Sequence, residues 1–144
     1  MKKPSYQQDL FPHWSEIPIR FRDLDPLNHV NNALFNTYYE EARIEFIRQV
    51  PAFADQLQEG FSFVLANITI DYIYPAEYPG SLLIGSGIKK MGNSSISSIQ
   101  AIYLAEDKKL VSVAEAHGVW FDLEQQKPSR LPELENADQF LVSG

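Results

Sequence analysis

Ala33-Leu-Phe-Asn-Thr-Tyr-Tyr-Glu-Glu-Ala-Arg-Ile-Glu-Phe-Ile-Arg-Gln-Val50 is the stretch that decides the fold. Leu34, Phe35, Tyr38, Tyr39, Ala42, Phe46 and Ile47 recur at steps of three and four, and Glu40, Glu41, Arg43, Glu45 and Arg48 fill the other face. That spacing predicts one long amphipathic helix with a single apolar stripe. Pro51 stops it and can open a second short helix, which Gly60 ends. The stripe needs a partner surface, and the chain supplies one at once. After Gly60 the apolar period becomes two, predicting strands over 61–74, 82–91, 95–104 and 110–122. The Gly92-Asn93 pair and the charged link Glu106 to Lys109 read as hairpins, so these strands are expected to be antiparallel neighbours.

Upstream, Ile17, Ile19 and Phe21 alternate with Glu16, Pro18, Arg20 and Arg22. This predicts a half-buried strand over 16–22. Pro18 lacks an N–H and puts that strand at a sheet edge. Residues 1–14 read as an N-terminal tail whose Phe11 and Trp14 can dock on a surface. Lys127 to Pro132 reads as a basic turn, and 132–144 as a tail or short helix. The whole, residues 1–144, is expected to be a single α+β domain, a curved antiparallel sheet of about five strands wrapped around one long helix. Ala114, Ala116 and Gly118 share one face of the last strand, a row of small side chains suited to close packing under that helix.

Composition narrows the function classes. The chain has 144 residues, 12 Lys+Arg against 19 Asp+Glu, a net charge of −7 and no cysteine. An acidic chain with few basic residues makes a poor nucleic-acid or anionic-membrane binder. The missing cysteines exclude disulfides, thiolate metal sites and a Cys nucleophile, and they fit a cytoplasmic location. No apolar run reaches a membrane span, and Met1 to Asp9 has no signal-peptide core. His13, His29 and His117 are too scattered for a metal set.

The one dense polar cluster is Asp23-Leu-Asp-Pro-Leu-Asn-His-Val-Asn-Asn32, just before the helix. Asn31 and Asn32 are N-cap candidates. Free N–H groups at a helix start can hold a developing oxyanion, and an upstream carboxylate can act as base or nucleophile towards a carbonyl polarised there. Asp and Asn before a helix are also ordinary turn and cap residues. On the residues alone both readings stand.

Phe21-Arg-Asp-Leu-Asp-Pro, His29-Val-Asn-Asn and Tyr39-Glu-Glu-Ala-Arg together resemble the acyl-CoA thioesterases of the 4-hydroxybenzoyl-CoA thioesterase type. The resemblance continues through Ile73-Tyr-Pro-Ala, Lys90-Met-Gly-Asn-Ser-Ser, Ala114-Glu-Ala-His-Gly-Val-Trp-Phe-Asp and Lys127-Pro-Ser-Arg-Leu-Pro. It covers about Glu16 to Pro132. It implies the hotdog fold, a dimer or tetramer joined sheet edge to sheet edge with sites at the interface, and hydrolysis of an acyl-CoA thioester without metal or redox cofactor. By position it puts the catalytic carboxylate on Asp25 and the carbonyl-polarising backbone amide at Asn32. In the similar plant acyl-carrier-protein thioesterases a functional histidine falls on His29, whereas their functional asparagine falls on Leu27. Substrate contacts are expected from Asn31, from Ser94 and Ser95 after the Gly-Asn turn, and from Lys90 and Arg130 for the phosphates of CoA. Three other activities stay open on this pattern: an acyl-carrier-protein thioesterase, a hydratase, and a non-catalytic acyl-CoA binding domain.

Overall fold

The computed structural model describes residues 10–142. Its centre is α1 (Phe35–Arg48), entered through a 3-10 turn over Asn32–Leu34. Pro51 opens α2 (Pro51–Gln58). Around them curves an antiparallel sheet of β1 (His13–Pro18), β2 (Phe61–Tyr72), β3 (Ser81–Met91), β4 (Ser95–Leu104) and β5 (Leu110–Asp122). A two-residue β6 (Lys127–Pro128) pairs back on β5.

The apolar stripe of α1 meets the concave face of the sheet. Phe35, Tyr38, Tyr39 and Ala42 pack with Leu82, Ile84, Ile102 and Ala114, while Phe46 and Ile47 pack with Phe53, Ile88, Ile96 and Trp120. Tyr39 and Ala42 are fully buried. Tyr39 donates its hydroxyl proton to Ser112 Oγ at 2.8 Å, so its polar end is satisfied within the core.

The sheet order is β1-β3-β4-β5-β2. The two hairpins give the expected neighbours β3–β4 and β4–β5. The expected pairing of 61–74 with 82–91 does not occur. Instead β2 crosses the molecule and pairs with β5, and β3 lies three strands away. The segment 73–80 between them is not a tight turn, and its Ala76 and Glu77 bind the loop before α1.

The first strand also differs from its expected range. It covers 13–18 rather than 16–22, because after Pro18 the chain leaves the sheet and forms a 3-10 turn over Phe21–Asp23. Ile19 keeps the apolar alternation but is buried in the core from a loop. The edge position expected from Pro18 holds. Residues 10–14, read as tail, are packed: Phe11 is buried on the convex face with Ile99, Ala101, Tyr103 and Val113. His13 and Trp14 belong to β1. Residues 1–9 lie outside the described residues.

Only the first part of the small-residue row lies under α1. Ala114 packs there, but Gly118 serves β2, since a Cβ on it would sit 2.5 Å from Val64 O and strike the Phe63 ring. At the other end, 137–139 form a 3-10 turn and Leu141 bridges Ile88 in parallel. Ile88 N–H donates to Phe140 O and Val142 N–H to Ile88 O. The C-terminal segment thus occupies the β3 edge beyond the point where β1 stops, at Ser86.

Candidate active site

The loop before α1 is anchored by Asp23. Its carboxylate is buried and accepts two hydrogen bonds from Arg20, at 2.9 and 3.0 Å, and one from Tyr38 OH at 2.5 Å. The Arg20 guanidinium holds the Asp23 carboxyl below the usual carboxylate range. Burial, with the charge of Asp23, pushes the Tyr38 phenol up. Asp23 O also accepts from Asn31 N–H, which closes the loop at its base.

Above that base the chain turns back on itself from Asp25 to His29. Asp25 N–H donates to His29 O and Asn28 N–H to Asp25 O. Asn28 takes φ 65°, a left-handed conformation that asparagine tolerates better than most residues. Asp25 Oδ1 accepts from Leu27 N–H at 2.9 Å and His29 N–H at 3.1 Å. Its Oδ2 has no protein hydrogen bond among the described residues. The carboxylate is therefore fixed by one oxygen and free at the other.

The start of the helix shows a similar division. Asn31 Oδ1 caps Ala33 N–H at 2.9 Å, and Asn31 O accepts Leu34 N–H. Asn31 N–H is used by Asp23. Among the described residues Asn32 N–H alone of these four amides has no protein partner. Of the two expected caps, Asn31 caps through its side chain and Asn32 does not.

Asp25, His29, Asn31 and Asn32 line one depression of about 430 Å³, together with Phe35 and Tyr72. Tyr72 donates to Asn32 O at 3.1 Å and packs its ring on Phe35 at 5.3 Å. His29 Nε2 lies 3.5 Å from Glu77 Oε1. A carboxylate oxygen and an unpaired amide facing one depression can respectively attack, or deprotonate water, and hold a developing negative charge.

Lys90, Ser94, Ser95 and Arg130 do not line this depression. Tyr72 pairs with Ser112 on β5, whereas Ser95 pairs with Val119. Seven residues of strand separate those positions, roughly 23 Å. The four residues share the far end of the sheet: Trp120 N–H donates to Ser94 O, and Leu131 N–H to Asn93 O. Lys89, the other lysine there, is paired with Glu115, which also lies 3.4 Å from His117. His117 is 2.8 Å from Ser97 Oγ and belongs to this outer-face network.

Asp23, Tyr38 and Tyr72 also shape the site, and sequence reasoning does not assign them to it. Tyr72 falls there simply within the strand expected over 61–74, and Tyr38 in the helix stripe. Asp23 and Asp25 stand in one loop, and spacing alone does not say which is buried.

The chain matches the model of the thioesterase-like superfamily over residues 19–138. It belongs to that superfamily. This thioesterase-like chain is 32% identical over 113 residues to the long-chain acyl-CoA thioesterase FadM of Escherichia coli K12, covering 78% of the chain and 86% of FadM. It also superposes on a thioesterase of Thermus thermophilus solved with coenzyme A and zinc (35% identity, TM-score 0.73, 86% of this chain and 88% of that one). PA5185 of Pseudomonas aeruginosa shares the fold at TM-score 0.84 and 21% identity, covering 95% of this chain and 96% of that one. The fold is the hotdog fold.

Proposed function

We propose that this chain hydrolyses an acyl-CoA thioester to a carboxylic acid and free CoA at the depression before α1. The observation that carries the assignment is the pairing there of a half-free carboxylate, Asp25, with the unpartnered N–H of Asn32. The thioester oxygen would accept from Asn32 N–H. Asp25 Oδ2 would then deprotonate a water that attacks the carbonyl, or attack it directly to give an anhydride that water opens. Both routes release CoA as the thiol. His29, next to Asp25, orients the loop or the water, and Asn31 holds the cap that presents the amide.

The edge strand β2 supports self-association. It has no neighbour on its outer side among the described residues, is 12 residues long, and carries exposed Val64 and Tyr72. Such an edge is a template for pairing. Antiparallel pairing of two β2 strands would set the 61 end of one beside the 72 end of the other. The far end of one sheet, with Lys90, Ser94, Ser95 and Arg130, would then approach the Asp25 depression of its partner and offer a path for the CoA arm.

Thiol release from a panel of acyl-CoA esters tests the reaction. Hydration of an enoyl-CoA without thiol release would favour a hydratase, and tight binding without turnover a non-catalytic domain. Sedimentation tests the assembly: a monomer alone at micromolar concentration would defeat the β2 pairing.

A further inference from the structure

Tyr72 ends β2 and lines the Asp25 depression. The strand end that carries it is firmly held. Ile73 N–H and Tyr74 N–H both donate to Val111 O at the start of β5. Ser112 Oγ donates to Asp71 O at 2.8 Å and itself accepts from the Tyr39 hydroxyl. A hydrogen-bonded chain thus runs from the core face of α1 to the residue before Tyr72. The Tyr72 ring packs edge-to-face on buried Phe35 at 5.3 Å. With backbone and ring both braced, the hydroxyl is delivered to one place.

That place is Asn32 O, which accepts from the hydroxyl at 3.1 Å and also from Phe35 N–H. The 3-10 turn around it has little else to orient it. Leu34 packs on the core, but Asn31, Asn32 and Ala33 are exposed. The bonds from Leu34 N–H to Asn31 O and from Ala33 N–H to Asn31 Oδ1 are internal to the turn. The Tyr72 bond ties the turn to the sheet, at the residue whose N–H is left over for an oxyanion. Asn32 O belongs to the next peptide unit, so the hydroxyl does not polarise that N–H. It fixes the residue from its carbonyl side, and a fixed residue aims its N–H in one direction. A misplacement of about 1 Å at a reacting centre can cost on the order of 100-fold in rate.

We propose that Tyr72 is a positioning residue for the hydrolysis: its hydroxyl holds Asn32 so that the N–H meets the thioester oxygen as that oxygen becomes negative. This role rests on the thioester-hydrolase reading above. The hydroxyl touches no reacting atom and acts through the Asn32 amide. Its effect is therefore expressed in the transition state, when charge develops on oxygen, and hardly in binding of the ester. Tyr72→Phe keeps the ring on Phe35 and removes the bond.

The test is a double-mutant cycle read by thiol release from the acyl-CoA ester that the parent cleaves fastest. Tyr72→Phe should lower kcat about tenfold and leave KM within about twofold. Asn32→Pro removes the N–H itself. Proline is accepted at the first helical position, and Asn31 before it already has the extended backbone, φ −60° and ψ 127°, that a following proline requires. Its kcat should fall about 100-fold relative to Asn32→Ala, which keeps the N–H. Added to Asn32→Ala, Tyr72→Phe should again cost about tenfold; added to Asn32→Pro, less than about twofold. Full multiplication of the two effects in the Asn32→Pro background would overturn the inference, because Tyr72 would then act elsewhere. A kcat for Tyr72→Phe within about threefold of the parent would also overturn it, as would a raised KM at unchanged kcat, which makes the hydroxyl a binding group. Sedimentation of Tyr72→Phe should match the parent, and a changed assembly state would transfer the role to self-association and defeat the proposal. No thiol release from the parent would sink the hydrolase reading and this role together. If Asn32→Pro does not fold by circular dichroism, the kcat and KM of Tyr72→Phe decide alone.

Discussion

The loop from Arg20 to Asn32 has an inner and an outer half, and they use the same residue types to opposite ends. In the inner half Asp23 is buried, and its carboxylate is engaged by Arg20 and Tyr38. In the outer half Asp25 is partly exposed, and one of its oxygens is spoken for by two amides. A buried carboxylate holding three donors is a structural part, closed to a substrate. A half-bound one is oriented yet available. The amides divide likewise: Asn31 N–H closes the loop base and Asn32 N–H is left over. Two residues of chain separate the buried carboxylate from the available one.

The largest effect that can break this comparison is on turnover. Asp25→Asn keeps Oδ1 as an acceptor and removes the charge, so hydrolysis should fall by at least about 100-fold. Its melting temperature should stay near that of the parent. Asp23→Asn should behave in the reverse sense, with a marked loss of thermal stability. Activity per folded molecule should fall less than in Asp25→Asn. Equal melting temperatures for the two variants would erase the distinction between the halves.

An acid titration sharpens it. The Asp23 carboxyl is held below its ordinary range, so its contribution to stability is fully present above about pH 4 and is lost as pH falls through the lowered folded value. Urea midpoints should therefore drop more steeply on acidification in the parent than in Asp23→Asn. A smaller effect is expected at the helix start. Asn31→Ala removes the cap on Ala33 N–H and should cost about 1 kcal/mol. The smallest is His29→Gln, which leaves the backbone bonds to Asp25 in place and should cost far less activity than Asp25→Asn. A larger loss than that would move the catalytic role to His29, despite Leu27 at the position of the carrier-protein enzymes' asparagine.

Legibility in the sequence follows the range of the interactions concerned. β4 and β5 begin and end where the alternation does, because Gly92-Asn93 and Glu106 to Lys109 mark their turns locally. The pairing of β2 with β5 is non-local, and no period in 61–74 indicates which strand it will meet. The pattern of β1 misplaces it. Ile17, Ile19 and Phe21 alternate smoothly, but Arg20 turns to Asp23 and takes the chain out of the sheet after Pro18. Phe21 consequently points to solvent, 74% exposed. Arg43 is the clearest case on α1. Helical spacing puts it with Glu40 on the polar face, where the two could pair. It is buried instead, because Gln100 on β4 offers it an acceptor. Helix periodicity carries no information about the polar groups of a strand some sixty residues later.

The two ends of the described chain converge on one strand. β3 carries β1 along one part of its edge and the 140–142 segment along the next. A Cβ on Gly87 would strike both Pro12 and Val142, so these residues lie side by side over the same glycine. A short peptide could join them with little loop-closure entropy. New ends could then be cut at the exposed Gly92-Asn93 turn, at the other end of the sheet from the loop that holds Asp25. The domain is thus a natural candidate for circular permutation, with the order of its strands in the chain changed and their order in the sheet kept.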